Sequence, residues 1–153
     1  MSERRIKVQR HMEAPTRAVW AVFADFPHLA AHWGGLRASR AVGTRTSGVG
    51  ARRRVALKPV GSMDETVTVW EEGRRIDTAN RASALVPFSR AETTLVLEPE
   101  TAGTSATFDY RYVPRGGPLG RFTGPLLDRM LTSAFADMLG AVDAAALVDH
   151  DEG

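Results

Sequence analysis

Residues 118–148, PLGRFTGPLLDRMLTSAFADMLGAVDAAALV, decide the fold of this chain. From Phe122 onward, Leu126, Met130, Leu131, Ala134, Phe135, Met138, Leu139, Val142 and Ala145 recur at steps of three and four. Asp128, Arg129, Thr132, Ser133 and Asp137 fall mostly between them. Such spacing lays the apolar side chains along one stripe of an α-helix. It predicts a rod of six or seven turns, roughly 35 Å long at about 1.5 Å per residue. Gly124-Pro125 is expected to interrupt its first part, leaving 118–123 as a separate turn or a kinked start. The acidic end, 149–153, is expected to fray. A helix with one apolar stripe must bury it against another layer.

That layer is written in the residues before it. Residues 5–12 alternate, with Ile6 and Val8 on one face and Lys7 and Gln9 on the other, which predicts a first strand. Ala14-Pro15 breaks it, and a helix over 16–26 follows, with Val19, Phe23 and Phe26 on one side. The proline after Phe26 ends that helix. A second short helix over 28–33 is closed by Gly34-Gly35. Six further strands are then predicted at 36–42, 52–58, 63–72, 75–81, 90–98 and 105–113. Their connections are short and carry Gly or Pro, so neighbours run antiparallel; parallel strands need crossovers of a dozen or more residues. The expectation is one α+β domain over 1–153, with its core at about 5–148. A curved seven-stranded antiparallel sheet would grip the long C-terminal helix, and two short helices would follow the first strand. A helix cannot fill such a concavity, so a cavity is expected beneath it.

Composition narrows the function classes. Twenty Lys and Arg stand against eighteen Asp and Glu, for a net charge of +2. The one basic cluster, Arg52-Arg53-Arg54, lies within a strand whose successive side chains point to opposite faces, so nucleic-acid binding is not expected. Without cysteine there is no disulfide, thiolate nucleophile or cysteine-ligated metal. His28 and His32 are spaced for a metal, but the zincin glutamate is missing, and no metal or other cofactor is expected. Ser105 and Ser133 lack a histidine and acid nearby in sequence, and Gly48-x-Gly50 lacks the helix of a nucleotide loop. No leader and no membrane span are expected, and a cytoplasmic location is favoured.

Several segments resemble one superfamily. Residues 19–26, VWAVFADF, after Ala14-Pro15, are similar to the first-helix signature of START-like domains. Residues 48–52, GVGAR, resemble the turn before the third strand of those domains, and 65–67 with 70–75, WEEGRR, resemble their fourth-strand region. Tyr110-x-Tyr112-x-Pro114 followed by residues 117–120, GPLG, resembles the approach to their C-terminal helix. Together these resemble the SRPBCC superfamily, whose members include polyketide cyclase/dehydrase-like proteins, the birch-pollen allergen group and plant hormone receptors. The resemblance implies a helix-grip fold and binding of a hydrophobic small molecule. It does not choose among carriers, receptors and cyclases.

Alternation nominates the residues of a site. Phe108, Tyr110 and Tyr112 share the inner face of the last strand, and Thr93 and Leu95 that of the strand before it. Phe122, Leu126, Leu127, Met130 and Ala134 would wall the cavity from the helix, and Trp33 would either cap its mouth or pack in the core. Trp20 and Trp70 are expected to pack. Val55 and Val67 mark the inner faces of two further strands, and these faces also carry Arg53 and Glu65. If the hairpin closes between Leu57 and Gly61, those two charges face each other with Cβ atoms about 5 Å apart. Charges turned inward are costly unless paired. The pair is expected either to anchor a polar group of the ligand or to be a structural ion pair. In a third reading Glu65 is a general base, with Arg53 and Tyr110 as its catalytic companions. The leading expectation is therefore a binder of a polyketide- or lipid-like molecule. The alternatives are a cofactor-free polyketide aromatase/cyclase or dehydratase, and a protein-interaction module.

Overall fold

The computed structural model describes residues 3–152, with the backbone alone at 120, 121 and 150–152. Strand β1 (Arg4–Met12) leads into helix α1 (Thr16–Ala24) and a 3₁₀ helix (Phe26–Ala31). Strands β2 (Leu36–Val42), β3 (Arg52–Leu57), β4 (Ser62–Glu71), β5 (Arg75–Ala82), β6 (Phe88–Pro99) and β7 (Thr104–Pro114) follow, then helix α2 (Gly120–Glu152). All seven strands form one antiparallel sheet in the order β1-β7-β6-β5-β4-β3-β2. Sequential hairpins build its bulk, and β1 closes the edge beside β7.

The sheet curves around α2, and three breaks in strand register accompany the curve. They fall between Leu36 and Ala38, between Val67 and Val69, and between Phe88 and Arg90. An extra residue on one strand bends it and sharpens its twist, which turns a flat meander into a trough. The turn from β6 to β7 is tight enough to need glycine. Gly103 has φ +97°, and a Cβ there would lie 2.0 Å from the Met12 carbonyl oxygen. The core lies between trough and helices, with Met12, Val19, Leu139, Val142 and Ala146 fully enclosed.

Three sequence expectations are corrected. The interruption at Gly124-Pro125 does not occur, because α2 runs unbroken from Gly120 with Pro125 inside it. The proline stands less than two turns from the start, its ring is exposed, and it forfeits at most one backbone bond. The helix also continues through the acidic end as far as Glu152, beyond the expected fraying point at 149, while Gly153 lies outside the described residues. The second helix is a 3₁₀ turn that starts at Phe26, before the expected 28.

Residues 122–149 are also long and apolar enough to cross a membrane by length and composition alone, which the sequence reading did not anticipate. In the fold, this helix packs one face against β1, α1 and β7. Asp143, within that stretch, is buried and accepts the backbone N–H groups of Glu13 (3.2 Å) and Ala14 (3.1 Å). It is the core helix that the sheet grips.

Candidate ligand-binding cavity

The apolar stripe of α2 splits in two. Leu139, Val142 and Ala146 settle onto β1 and α1 with no exposed surface. Nearer the start of the helix, Leu127, Leu131 and Ala134 stand off from β3, β4 and β5. The gap is a cavity of about 460 Å³, within the range of small-molecule pockets.

Each element contributes to its walls. Phe23 comes from α1, Phe26 and Leu29 from the 3₁₀ segment, and Trp33 from the loop after it. Val55, Met63, Ile76, Leu95 and Phe108 come from the inner faces of successive strands. Phe135 reaches down from α2 onto Phe108 and Tyr110, with ring centroids 4.8 and 4.6 Å apart. The mouth is framed by Val60 and Leu85 at two loop tips and by Met130 on α2, all well exposed.

Polar groups are few and placed in pairs. Arg53 and Glu65 lie opposite each other in the β3–β4 register, and the Leu57 N–H donates to the Gly61 carbonyl at the hairpin end. Arg53 Nε donates to Glu65 Oε1 at 2.6 Å, and its Nη1 donates to the Phe26 carbonyl at 2.8 Å. The guanidinium also stacks over the Phe26 ring, 3.9 Å from its centroid. Both side chains are nearly buried, at 13% and 12% exposed. Thr78 and Thr93 share a hydrogen bond of 2.6 Å across β5 and β6. The Tyr110 hydroxyl, deep in the wall, donates to the Met63 sulfur at 3.9 Å. Burial, reinforced by the negative charge of Glu65, pushes the Tyr110 pKa well above that of a free phenol. Tyr110 is therefore a neutral O–H donor whose present partner is a weak acceptor.

Of the residues nominated from sequence, Trp33, Arg53, Val55, Glu65, Thr93, Leu95, Phe108, Tyr110, Leu127, Met130 and Ala134 line the cavity. Val67, Tyr112, Phe122 and Leu126 do not. Val67 faces inward but is 1% exposed, its backbone tied to Gly50 and Ala51. Tyr112 lies under the start of α2, its hydroxyl donating to Asp128 and reaching the Gly124 carbonyl. Burial first, then the Asp128 contact, raises its pKa, while Arg4 holds the Asp128 carboxyl below its ordinary value. Phe122 and Leu126 are 70% and 60% exposed. They stand about 100–140° round the helix from Leu127, on its outer flank, whereas Met130 sits at the mouth.

Sequence reading missed Phe26, Leu29, Thr78, Val86, Phe88, Phe135 and Met138, all of which line the cavity. Thr78 was available from the alternation of β5, where it shares a face with Ile76, and Phe135 from the helical stripe. Val86 belongs to a loop that has no period to read. Trp20 and Trp70 meet edge to face at 5.3 Å, and both indoles donate to Glu72. Those two bonds, Trp70's first, hold the Glu72 carboxyl below its usual range. His28 is exposed and bonded to Asp25. No group of three or more potential metal ligands occurs among the described residues. Arg54 points away from Arg53 and pairs with Asp64 outside the sheet.

Comparison with known proteins agrees with this architecture. No curated protein matches the sequence. Among solved structures, the protein TTHA0849 from Thermus thermophilus superposes with TM-score 0.80 at 18% identity, covering 95% of this chain and 99% of that one. A START superfamily protein from Mycobacterium smegmatis gives 0.77 at 12% identity, covering 93% and 96%. A Thalictrum norcoclaurine synthase point mutant, in complex with a transition-state analogue, gives 0.73 at 16% identity, covering 97% of each. The sequence profile of the family described as polyketide cyclase / dehydrase and lipid transport matches residues 3–146. With nearly its whole length matched and a helix-grip trough enclosing an apolar cavity, the chain belongs to this START-like family.

Proposed function

We propose that the protein binds an apolar or aromatic small molecule bearing a few oxygen functions, a polyketide- or lipid-like compound. The observation that carries this reading is the cavity itself: about 460 Å³, walled mainly by aliphatic and aromatic side chains, with Arg53, Glu65, Thr78, Thr93 and Tyr110 as inner polar groups and Asp25 and Lys58 as further charged ones. Apolar walls supply affinity, and a small number of polar groups orient the ligand. The Arg53–Glu65 pair is too enclosed to be a solvated surface bridge, and the neutral Tyr110 hydroxyl is a ready donor to a carbonyl. The family description and the synthase that holds an analogue in a similar fold lend support.

The test is native mass spectrometry of protein purified from its own host, joined to titration with the neutral fluorophore N-phenyl-1-naphthylamine. A co-purifying small molecule and saturable displacement of the fluorophore are expected. Failure of the fluorophore to bind at all removes the reading.

A second reading is favoured by one feature: a carboxylate, Glu65, and a neutral phenol, Tyr110, line the same cavity. Such a pair suits proton transfer during cyclisation or dehydration of a poly-carbonyl chain, and holding that chain bent supplies much of the catalysis. Glu65→Gln separates the two readings. An enzyme loses turnover by about a hundredfold or more, with ligand affinity retained. A carrier shows no turnover in either form.

A further inference from the structure

We propose that Asn80 is a buried recognition residue: its carboxamide, with the Tyr110 hydroxyl, takes a neutral oxygen function, ketone or hydroxyl, at the inner end of the ligand. The inference deepens the binding reading above and rests on it.

Asn80 lies on β5 two residues beyond Thr78, so it shares the inner face with Thr78 and Ile76. Glu65 stands opposite it on β4 and Ala91 on β6. The side chain is 2% exposed. Neither its Oδ1 nor its Nδ2 has a hydrogen-bond partner among the described residues. A buried amide left in this condition is expensive, and strands offer Val or Leu for such a position without the cost. Packing alone gives no reason for asparagine there.

The surroundings supply one. Asn80 is not itself part of the cavity wall, because a contact lies above it. Tyr110 on β7 reaches Met63 on β4, and β6 and β5 lie between those strands. Tyr110 is in register with Thr93 and Thr78, whereas Met63 is in register with Ala82. The line joining them therefore crosses β6 and β5 at the level of Ala91 and Asn80. Tyr110 and Met63 also line the cavity, so they form the partition between it and the amide. Methionine is unbranched, with three rotatable bonds, and its thioether is a poor substitute for an oxygen acceptor. When Met63 turns aside, a ligand oxygen can accept from Tyr110 Oη–H and Asn80 Nδ2–H together, and a hydroxyl can also donate to Asn80 Oδ1. Glu65, across the strand, is already engaged by Arg53, so the amide and the phenol are the groups left to take a neutral function.

The experiment is a competition against bound N-phenyl-1-naphthylamine with two competitors of one shape, 2-acetylnaphthalene and 2-isopropenylnaphthalene. Only the first carries a carbonyl. The ratio of their affinities is measured in the unaltered protein and in Asn80→Leu and Asn80→Val, which cancels the difference in their hydration. Both variants are expected to melt no lower than the parent and to bind the fluorophore within about twofold. The ketone-to-alkene ratio is expected to fall about tenfold, the range of one buried hydrogen bond. Tyr110→Phe should lower the same ratio, and the double variant should fall below either single one, by less than the product of the two because both donors serve one oxygen. An unchanged ratio in variants that still hold the fluorophore overturns the role of Asn80 and leaves the cavity reading intact. Collapse of both variants in the melt also overturns it, since the amide is then structural. A parent that never binds the fluorophore removes the cavity reading as well.

Discussion

The two halves of α2 face one sheet with side chains of one kind, yet the later half is packed shut and the earlier half stands clear. Leu139 and Val142 are fully enclosed, and polar groups lock the contact. Asp143 receives two backbone N–H groups from residues 13 and 14, and Thr104 donates to the Ala14 carbonyl. Around Leu127 and Ala134 the helix is held by a different device, the clip in which Arg4 and Tyr112 both bond to Asp128. That clip lies beside β1 and β7, so the far side of the trough, at β3 to β5, keeps its gap. Hydrophobic stripes bring helix and sheet together, and polar fastenings decide where they touch.

This contrast can be broken by mutation, starting where the largest effect is expected. Leu139→Ala should destabilise by about 3–5 kcal/mol in urea unfolding, because a fully enclosed leucine leaves a cavity its neighbours cannot fill. Met130→Ala, at the mouth, should cost under about 1 kcal/mol in the same assay. Equal costs would dissolve the distinction between the halves. Asp143→Ala should cost about 2–3 kcal/mol, since two buried backbone donors lose a charged acceptor.

Filling the gap tests the open half. Ala134→Phe should lower fluorophore affinity at least tenfold while shifting stability by less than about 1 kcal/mol, because the new ring enters space that already exists. The smallest effect concerns the clip. Arg4 holds the Asp128 carboxyl below its ordinary range, so its contribution is present above the unfolded-state value of about 3.9. It is lost as pH falls from there through the folded-state value. Asp128→Asn should therefore flatten the acid limb of the stability profile below about pH 4, by under about 1 kcal/mol for a pair this exposed. An acid limb identical to the parent's would show that the clip does not steer the helix.

Much of this was legible beforehand, for a physical reason. Side-chain direction repeats every two residues in a strand and about every 3.6 in a helix, so inner and outer faces are local properties. Phe108 and Tyr110, and Thr93 and Leu95, were readable as inward-facing from a few residues each. The Arg53–Glu65 pairing was also readable, because a short hairpin closed at Leu57 and Gly61 sets its own register. What periodicity could not supply was the rotation and height of α2 over the trough. That setting depends on contacts between residues more than a hundred positions apart, such as Arg4 with Asp128 and Ala14 with Asp143. It turned Phe122 and Leu126 outward and drew Tyr112 under the helix. It also left Asn80 enclosed with no partner among the described residues, beside a space that the apolar stripe alone could not have located.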